Sequence, residues 1–260
     1  GADGLGGSQS SNGGIRVKGK AANISGALLA QGQALDIQAD ALELSGNLQG
    51  ATGVQIHTAY QLNQSNSSSL LSGGTLGLTS DQSNISLAGK NQAAGDVNIN
   101  AKHGTISTQA GTDGLGGTHS LNGGMTMQAK TAKLGGIVRA DGNALTVTAN
   151  DLQINGELKG KGINLTAQNN ISQAASSKML SDGNLSINVS QGSIDLAGQN
   201  SADTDIDVTA NQGRLTLDGM LQSQRGDITL RAQGDINQNA CGTSAAADCK
   251  NTLLSERGRL

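Results

Sequence analysis

Proline, phenylalanine and tryptophan do not occur in the 260 residues, and Tyr60 is the only aromatic side chain. Aromatic rings normally dominate core burial, so this interior has to be assembled from Leu, Ile, Val, Ala and Met. Most enzyme pockets lean on aromatic walls, and sites that stack sugars or single-stranded nucleic acid need ring platforms. Charge is also scarce: 17 Lys and Arg stand against 20 Asp and Glu, a net charge of −3. That leaves no basic footprint for DNA or RNA. No apolar run approaches the roughly 20 residues of a membrane-spanning helix. No signal peptide precedes Gly1, as expected of a mature segment or a piece of a longer chain.

What the chain does have is 39 glycines and many short alternating runs. Leu35-Asp36-Ile37, Leu42-Glu43-Leu44, Val97-Asn98-Ile99, Leu185-Ser186-Ile187 and Ile194-Asp195-Leu196 place an apolar residue at every second position. Such runs, bounded by Gly, Asn or Asp, mark short half-buried strands. No stretch keeps a helical period between caps. Low net charge and steady aliphatic spacing also argue against disorder.

The runs recur. Their first apolar residues are Ile15, Leu35, Val54, Leu76, Val97, Met125, Leu145, Ile163, Leu185, Ile206 and Ile228, spaced 18 to 22 residues apart except for a gap of 28 before Met125. Second strands are expected some seven to ten residues after most of these starts, at Ile24, Leu42, Ile85, Ile106, Leu152, Ile194, Leu215 and Ile236. This period is a solenoid signature. A longer repeat lies over it: Gly1-Ala-Asp-Gly-Leu-Gly-Gly7 returns as Gly111-Thr-Asp-Gly-Leu-Gly-Gly117, and Leu42-Glu-Leu-Ser-Gly46 returns as Leu152-Gln-Ile-Asn-Gly156. Residues 1–110 and 111–219 read as two copies of a five-coil block, 220–238 as the start of a third, and 239–260 as a cysteine-containing loop and tail.

A lone coil does not fold. Its handful of inward aliphatics contribute roughly 1.5–3 kcal/mol each, against roughly 1–2 kcal/mol of backbone entropy for every residue ordered. Stacked coils add ladder hydrogen bonds and bury each aliphatic column on both sides. The expectation is an all-β, right-handed parallel β-helix, a single domain over 1–238 with about eleven coils of roughly 20 residues. Glycines such as Gly46, Gly89 and Gly156 are expected to turn tight corners with positive φ. Asn98, Asn100, Asn164 and Asn188 are placed to form ladders between coils.

The pattern Gly-x-Leu-x-Ile-x-Ala-x-x-Leu-x-Leu-x-Gly at 32–46, its counterpart at 142–156 and Ala94-Gly-Asp-Val-Asn-Ile-Asn-Ala101 resemble filamentous haemagglutinin repeats. The resemblance spans about residues 13–238. It implies an exoprotein of bacterial two-partner secretion, exported through a partner outer-membrane β-barrel to the surface of a Gram-negative cell. Adhesion to a host or bacterial receptor, or a shaft carrying a contact-dependent growth inhibition toxin, would follow. The family's secretion domain carries Asn-Pro-Asn motifs that this proline-free chain lacks, and the stretch after Leu253 is too short for a toxin domain. The segment therefore reads as internal shaft.

Few residues stand out as sites. In an exported chain Cys241 and Cys249 are expected to form a disulfide closing their loop. Asp96, Asp205 and Asp227 each precede a leading strand; Asp205 and Asp227, 22 residues apart, stack in consecutive coils and are weak Ca²⁺ candidates, with turn acids bonded to backbone N–H the favoured reading. His57, His103 and His119 fall at different phases of the coil and read as surface residues. Asn-x-Ser/Thr triplets, such as those at Asn23, Asn66 and Asn184, offer glycosylation acceptors.

The expected function is thus a non-catalytic shaft segment without a cofactor, bound neither to nucleic acid nor into a membrane. A polysaccharide-cleaving β-helix is the enzymatic alternative, disfavoured because it needs convergent acids and bases in a cleft. An ice-binding face is rejected: Thr146 and Thr148 supply one rung, but the matching Asp36 and Gln38 do not.

Overall fold

The computed structural model describes residues 7–110 and 117–238, together with the strand Leu253–Ser255. Among these residues every regular element is a β-strand, and the strands pair in parallel. The eleven leading positions form one column. Ile15 stacks on Leu35, Leu35 on Val54, Val54 on Leu76 and Leu76 on Val97. The column continues through Met125, Leu145, Ile163, Leu185 and Ile206 to Ile228. The chain is a β-solenoid of about 11 turns, its stacked coils about 21 residues apart.

Each coil feeds two sheets. A 12-stranded sheet begins with Gly7–Ser10, Ala27–Ala30 and Asn47–Gly50, and a 16-stranded sheet holds the leading and second strands. In Ile15–Ile24 and Leu35–Leu44 those two strands are continuous, so the chain bends there while keeping its ladder. The second-strand column runs Ala22, Leu42, Leu62, Ile85 and Ile106. Ile24, expected to open it, stacks one inward position later, on Leu44. Ala22 carries so little apolar surface that hydropathy alone selects its neighbour.

Between Val97 and Met125, where the spacing of leading positions widens to 28, the described residues include two strands. Val97–Thr108 is continuous, with a register shift between Ala101 and Thr105, and Gly117–Ser120 returns to the 12-stranded sheet. Between Ala101 and Thr105 this strand holds two residues more than its partner between Ala129 and Thr131, a bulge that leaves Lys102 and His103 exposed.

The glycines require a correction. Among the described residues only Gly136 has positive φ, at 67°. Many of the others are small because coils approach closely. A Cβ on Gly46 would lie 1.9 Å from the Gly26 carbonyl oxygen, and one on Gly156 would lie 2.1 Å from that of Gly136. A further inward column holds only small residues: Ser10, Ala30, Gly50, Ser72 and Ala93, then the same five types again at Ser120, Ala140, Gly160, Ser181 and Ala202. Its hydroxyls tie the corner down: Ser72 Oγ donates to the Thr75 carbonyl and Ser181 Oγ to that of Asn184, both at 2.7 Å.

The aliphatic interior is interrupted by one amide pair in each copy. Gln173 and Asn200 are 5% and 0% exposed and exchange two hydrogen bonds, Gln173 Nε2 to Asn200 Oδ1 at 2.8 Å and Asn200 Nδ2 to Gln173 Oε1 at 3.0 Å. The Gly198 backbone N–H also donates to Gln173 Oε1 at 3.2 Å. Gln64 and Asn91 hold the matching places, and Gly89 N–H donates to Gln64 Oε1 at 3.3 Å. There the reciprocal bond is not made, so Gln64 Nε2 and Asn91 Oδ1 lack partners.

Two stability outcomes follow from this interior. Leu185→Asp places a carboxylate at a position with 0% exposure and should cost roughly 4 kcal/mol or more; an unchanged melting transition by β-sheet circular dichroism would mean the inward register is wrong. Gln173→Leu strands Asn200 and should cost about 1–3 kcal/mol. The double change Gln64→Leu with Asn91→Leu removes two already orphaned atoms along with the acceptor of the Gly89 N–H, and should lower the melting temperature less than Gln173→Leu does.

Candidate functional site

Between the inward columns each strand turns alternate side chains to solvent, and these outer positions also stack. On the leading strands one outer column runs Lys18, Gln38, His57 and Thr79 in the first copy, and Gln128, Thr148, Thr166 and Asn188 in the second. Much of the outer surface is bonded coil to coil. Glu43 accepts from Asn63 at 2.7 Å and Gln61 at 3.1 Å, Ser69 donates to Asn47 at 2.8 Å, and Asn211 donates to Asn188 at 3.2 Å. Of the four asparagines expected in ladders, Asn188 is in such a bond, while Asn100 accepts locally from the Lys102 backbone at 3.1 Å.

The sequence-predicted acids lie where their turns put them. Asp96 Oδ1 accepts the backbone N–H of Gly124 at 2.8 Å, and Asp205 Oδ1 accepts that of Asp227 at 2.9 Å. In both cases a glycine of the next coil, Gly123 or Gly226, clears the space: a Cβ on either would sit 2.3 Å from the carboxylate oxygen. Asp203 is taken by the guanidinium of Arg225, whose Nε donates to Oδ1 at 3.1 Å and whose second nitrogen meets Oδ2. Among the described residues no group of three or more His, Cys, Asp or Glu side chains comes together to hold a metal ion, and no helix is long and apolar enough to cross a membrane. Cys241 and Cys249 lie outside the described residues.

The histidines are separate from one another. His57 Nε2 lies 2.8 Å from Asp81 Oδ2, and His119 Nε2 lies 2.7 Å from Asp141 Oδ2. Asp141 is also held by Arg139 through its Nε. Burial raises the Asp141 carboxyl pKa, but the hydrogen bonds and charges of Arg139 and His119 outweigh it and hold the group below its ordinary value.

A feature that sequence reasoning missed is a groove along the rod at the corner after the leading strands. In the first copy it encloses about 150 Å³ over Gly19 and Ala39, between Lys18, Gln38 and His57 on one side and Asp40 and Asp81 on the other. In the second copy it encloses about 300 Å³ over Ala129, Ala149 and Ala167, between Gln128, Thr148 and Thr166 and a facing wall of Asn150, Gln168 and Ser190. The two stretches sit at matching places of the 110-residue repeat: Lys18 answers to Gln128, Asp40 to Asn150, His57 to Thr166 and Asp81 to Ser190. The only signal in the sequence was this contrast, charged residues in one copy replaced by neutral ones in the other. A further hollow of about 320 Å³ lies over Ile37 beside the Arg16–Asp36 ion pair, whose atoms are 3.5 Å apart.

Comparison with known protein families, curated proteins and solved structures finds no match to this chain.

The Asp141 contacts generate a pH dependence. A carboxylate whose folded pKa is depressed contributes stability above its unfolded pKa, near the ordinary 3.8, and loses it as the pH falls through the folded value. Asp141→Asn should therefore melt below the parent protein at pH 7, with the gap closing as the pH falls below the ordinary 3.8. A gap that is constant with pH would show that the contact is not electrostatic.

Proposed function

We propose that the chain is a non-catalytic shaft segment of a secreted bacterial exoprotein of the filamentous haemagglutinin type, presenting or mediating contact at the cell surface. The observation that supports this reading best is the unbroken stack of about 11 similar coils, whose interior is specialised for stacking and several of whose outer polar groups are tied to neighbouring coils. At roughly 4.8 Å per coil such a stack sets a distance of about 50 Å. The repeat patterns at 32–46 and 142–156 supply the family. Export through an outer-membrane partner belongs in this reading to other parts of the parent protein.

Labelled protein is expected to bind epithelial cells or Gram-negative bacteria saturably and above an unrelated β-helix. Binding to neither assigns the segment to spacing alone. Turnover of an acidic polysaccharide, with or without Ca²⁺, that is lost in Asp205→Ala would overturn the non-catalytic reading.

A further inference from the structure

We propose that the groove of the second copy is a binding site for a linear, uncharged, β-linked polysaccharide lying along the rod axis. Its walls are built for hydroxyl partners. Gln128, Thr148 and Thr166 stack in one column, and Asn150, Gln168 and Ser190 face them across the groove. Amides and hydroxyls both donate and accept, which is the pattern of a sugar hydroxyl. At several places elsewhere on the surface such side chains are bonded between coils, as with Glu43 and Asn63. None of these six has a side-chain hydrogen bond among the described residues, so their capacity is free. The floor is backbone at Ala129, Ala149 and Ala167, whose methyl groups turn into the core and are at most 6% exposed, so no bulky side chain rises between the two walls.

Spacing selects the class of polymer. The coils repeat at about 4.8 Å, close to the advance per pyranose ring in an extended β-linked chain, so each sugar meets the same pair of walls. An extended peptide advances only about 3.3 Å per residue and falls out of step. A nucleic acid strand would require cations along the groove and rings for its bases, whereas the charged and imidazole groups here, Lys102 and His103, stand at one end. For the same reason an acidic polysaccharide has no row of cations to meet it. The groove holds no carboxylate, so it binds without cleaving.

The first copy shows how the same groove is bridged. His57 Nε2 and Asp81 Oδ2 meet at 2.8 Å and join the walls at the places that Thr166 and Ser190 occupy in the second copy. Lys18 and Asp40 add charge where Gln128 and Asn150 are neutral, and the enclosed volume falls from about 300 to about 150 Å³. The fold tolerates the bridge, so transplanting it is a test that preserves the coil. This site's chemistry is independent of the shaft reading, and an exported spacer or an adhesive module would carry it alike.

The test uses the whole chain with cello-oligosaccharides and chito-oligosaccharides of two to six units, titrated by calorimetry, and with oligogalacturonates as the charged comparison. One of the two neutral series should bind, with affinity rising to about four units, the number of coils the groove crosses at roughly 4.8 Å each, and level beyond. Thr166→His with Ser190→Asp should weaken binding at least tenfold with an unchanged circular dichroism spectrum, Thr148→Ala should weaken it about threefold, and Gln38→Ala in the first copy should leave it unchanged. Failure of both neutral series to bind, equal binding of oligogalacturonates, or full binding by the bridged variant would each overturn the assignment. These readouts use oligosaccharides alone, so they stand apart from whether the chain binds cells.

Discussion

Along the leading strands the backbone N–H and C=O groups are committed to the coils on either side, at a spacing near 4.8 Å that side chains cannot alter. Everything inside the rod follows from that fixed distance. Each inward residue must accept a neighbour directly above and below it, so a column tolerates only shapes that stack on themselves. Leucine, isoleucine, valine and methionine do so in the leading column from Ile15 to Ile228. Rings do not fit a coil this narrow, and proline would remove a ladder bond. The corner column is limited further, to Ser, Ala and Gly, because there the chain turns back on itself.

The same closeness explains the glycines better than backbone freedom does. Gly46 and Gly156 have ordinary φ, yet a methyl group on either would collide with the carbonyl of the coil beneath. Gly123 and Gly226 clear room for the carboxylates of Asp96 and Asp205, which then cap backbone N–H groups of the following coil. Uniform columns also carry a hazard, since coils that all look alike can slip by one unit. The buried pair Gln173–Asn200 opposes such slippage, because an amide moved into an aliphatic neighbourhood loses its partner.

Outside, the constraint relaxes and the copies part company. The interior of residues 111–219 repeats that of 1–110 almost type for type, whereas the corner groove changes from charged and bridged to neutral and open. A structural reading as a shaft and a recognition role for one stretch of it are therefore compatible. The ladder supplies rigidity, and the outer positions are free to vary because each touches only solvent and its stacked neighbours.

The alternation and the period of about 20 were enough to determine class, coil number and the complete leading column, since a half-buried strand leaves its face in the sequence. Ile24 misled because a small inward residue such as Ala22 leaves almost no hydropathic trace. The bulge at Lys102 and His103 was hidden because a two-residue shift of register inside a strand leaves no mark on the spacing of the leading positions. The groove was not legible either. Its two walls come from opposite sides of a corner and from coils some 20 residues apart, and only the tertiary stack sets Thr166 opposite Ser190, or joins His57 to Asp81. Sequence fixes which residues repeat; the ladder decides which of them face each other, because the fixed distance between coils turns separation along the chain into contact along the rod.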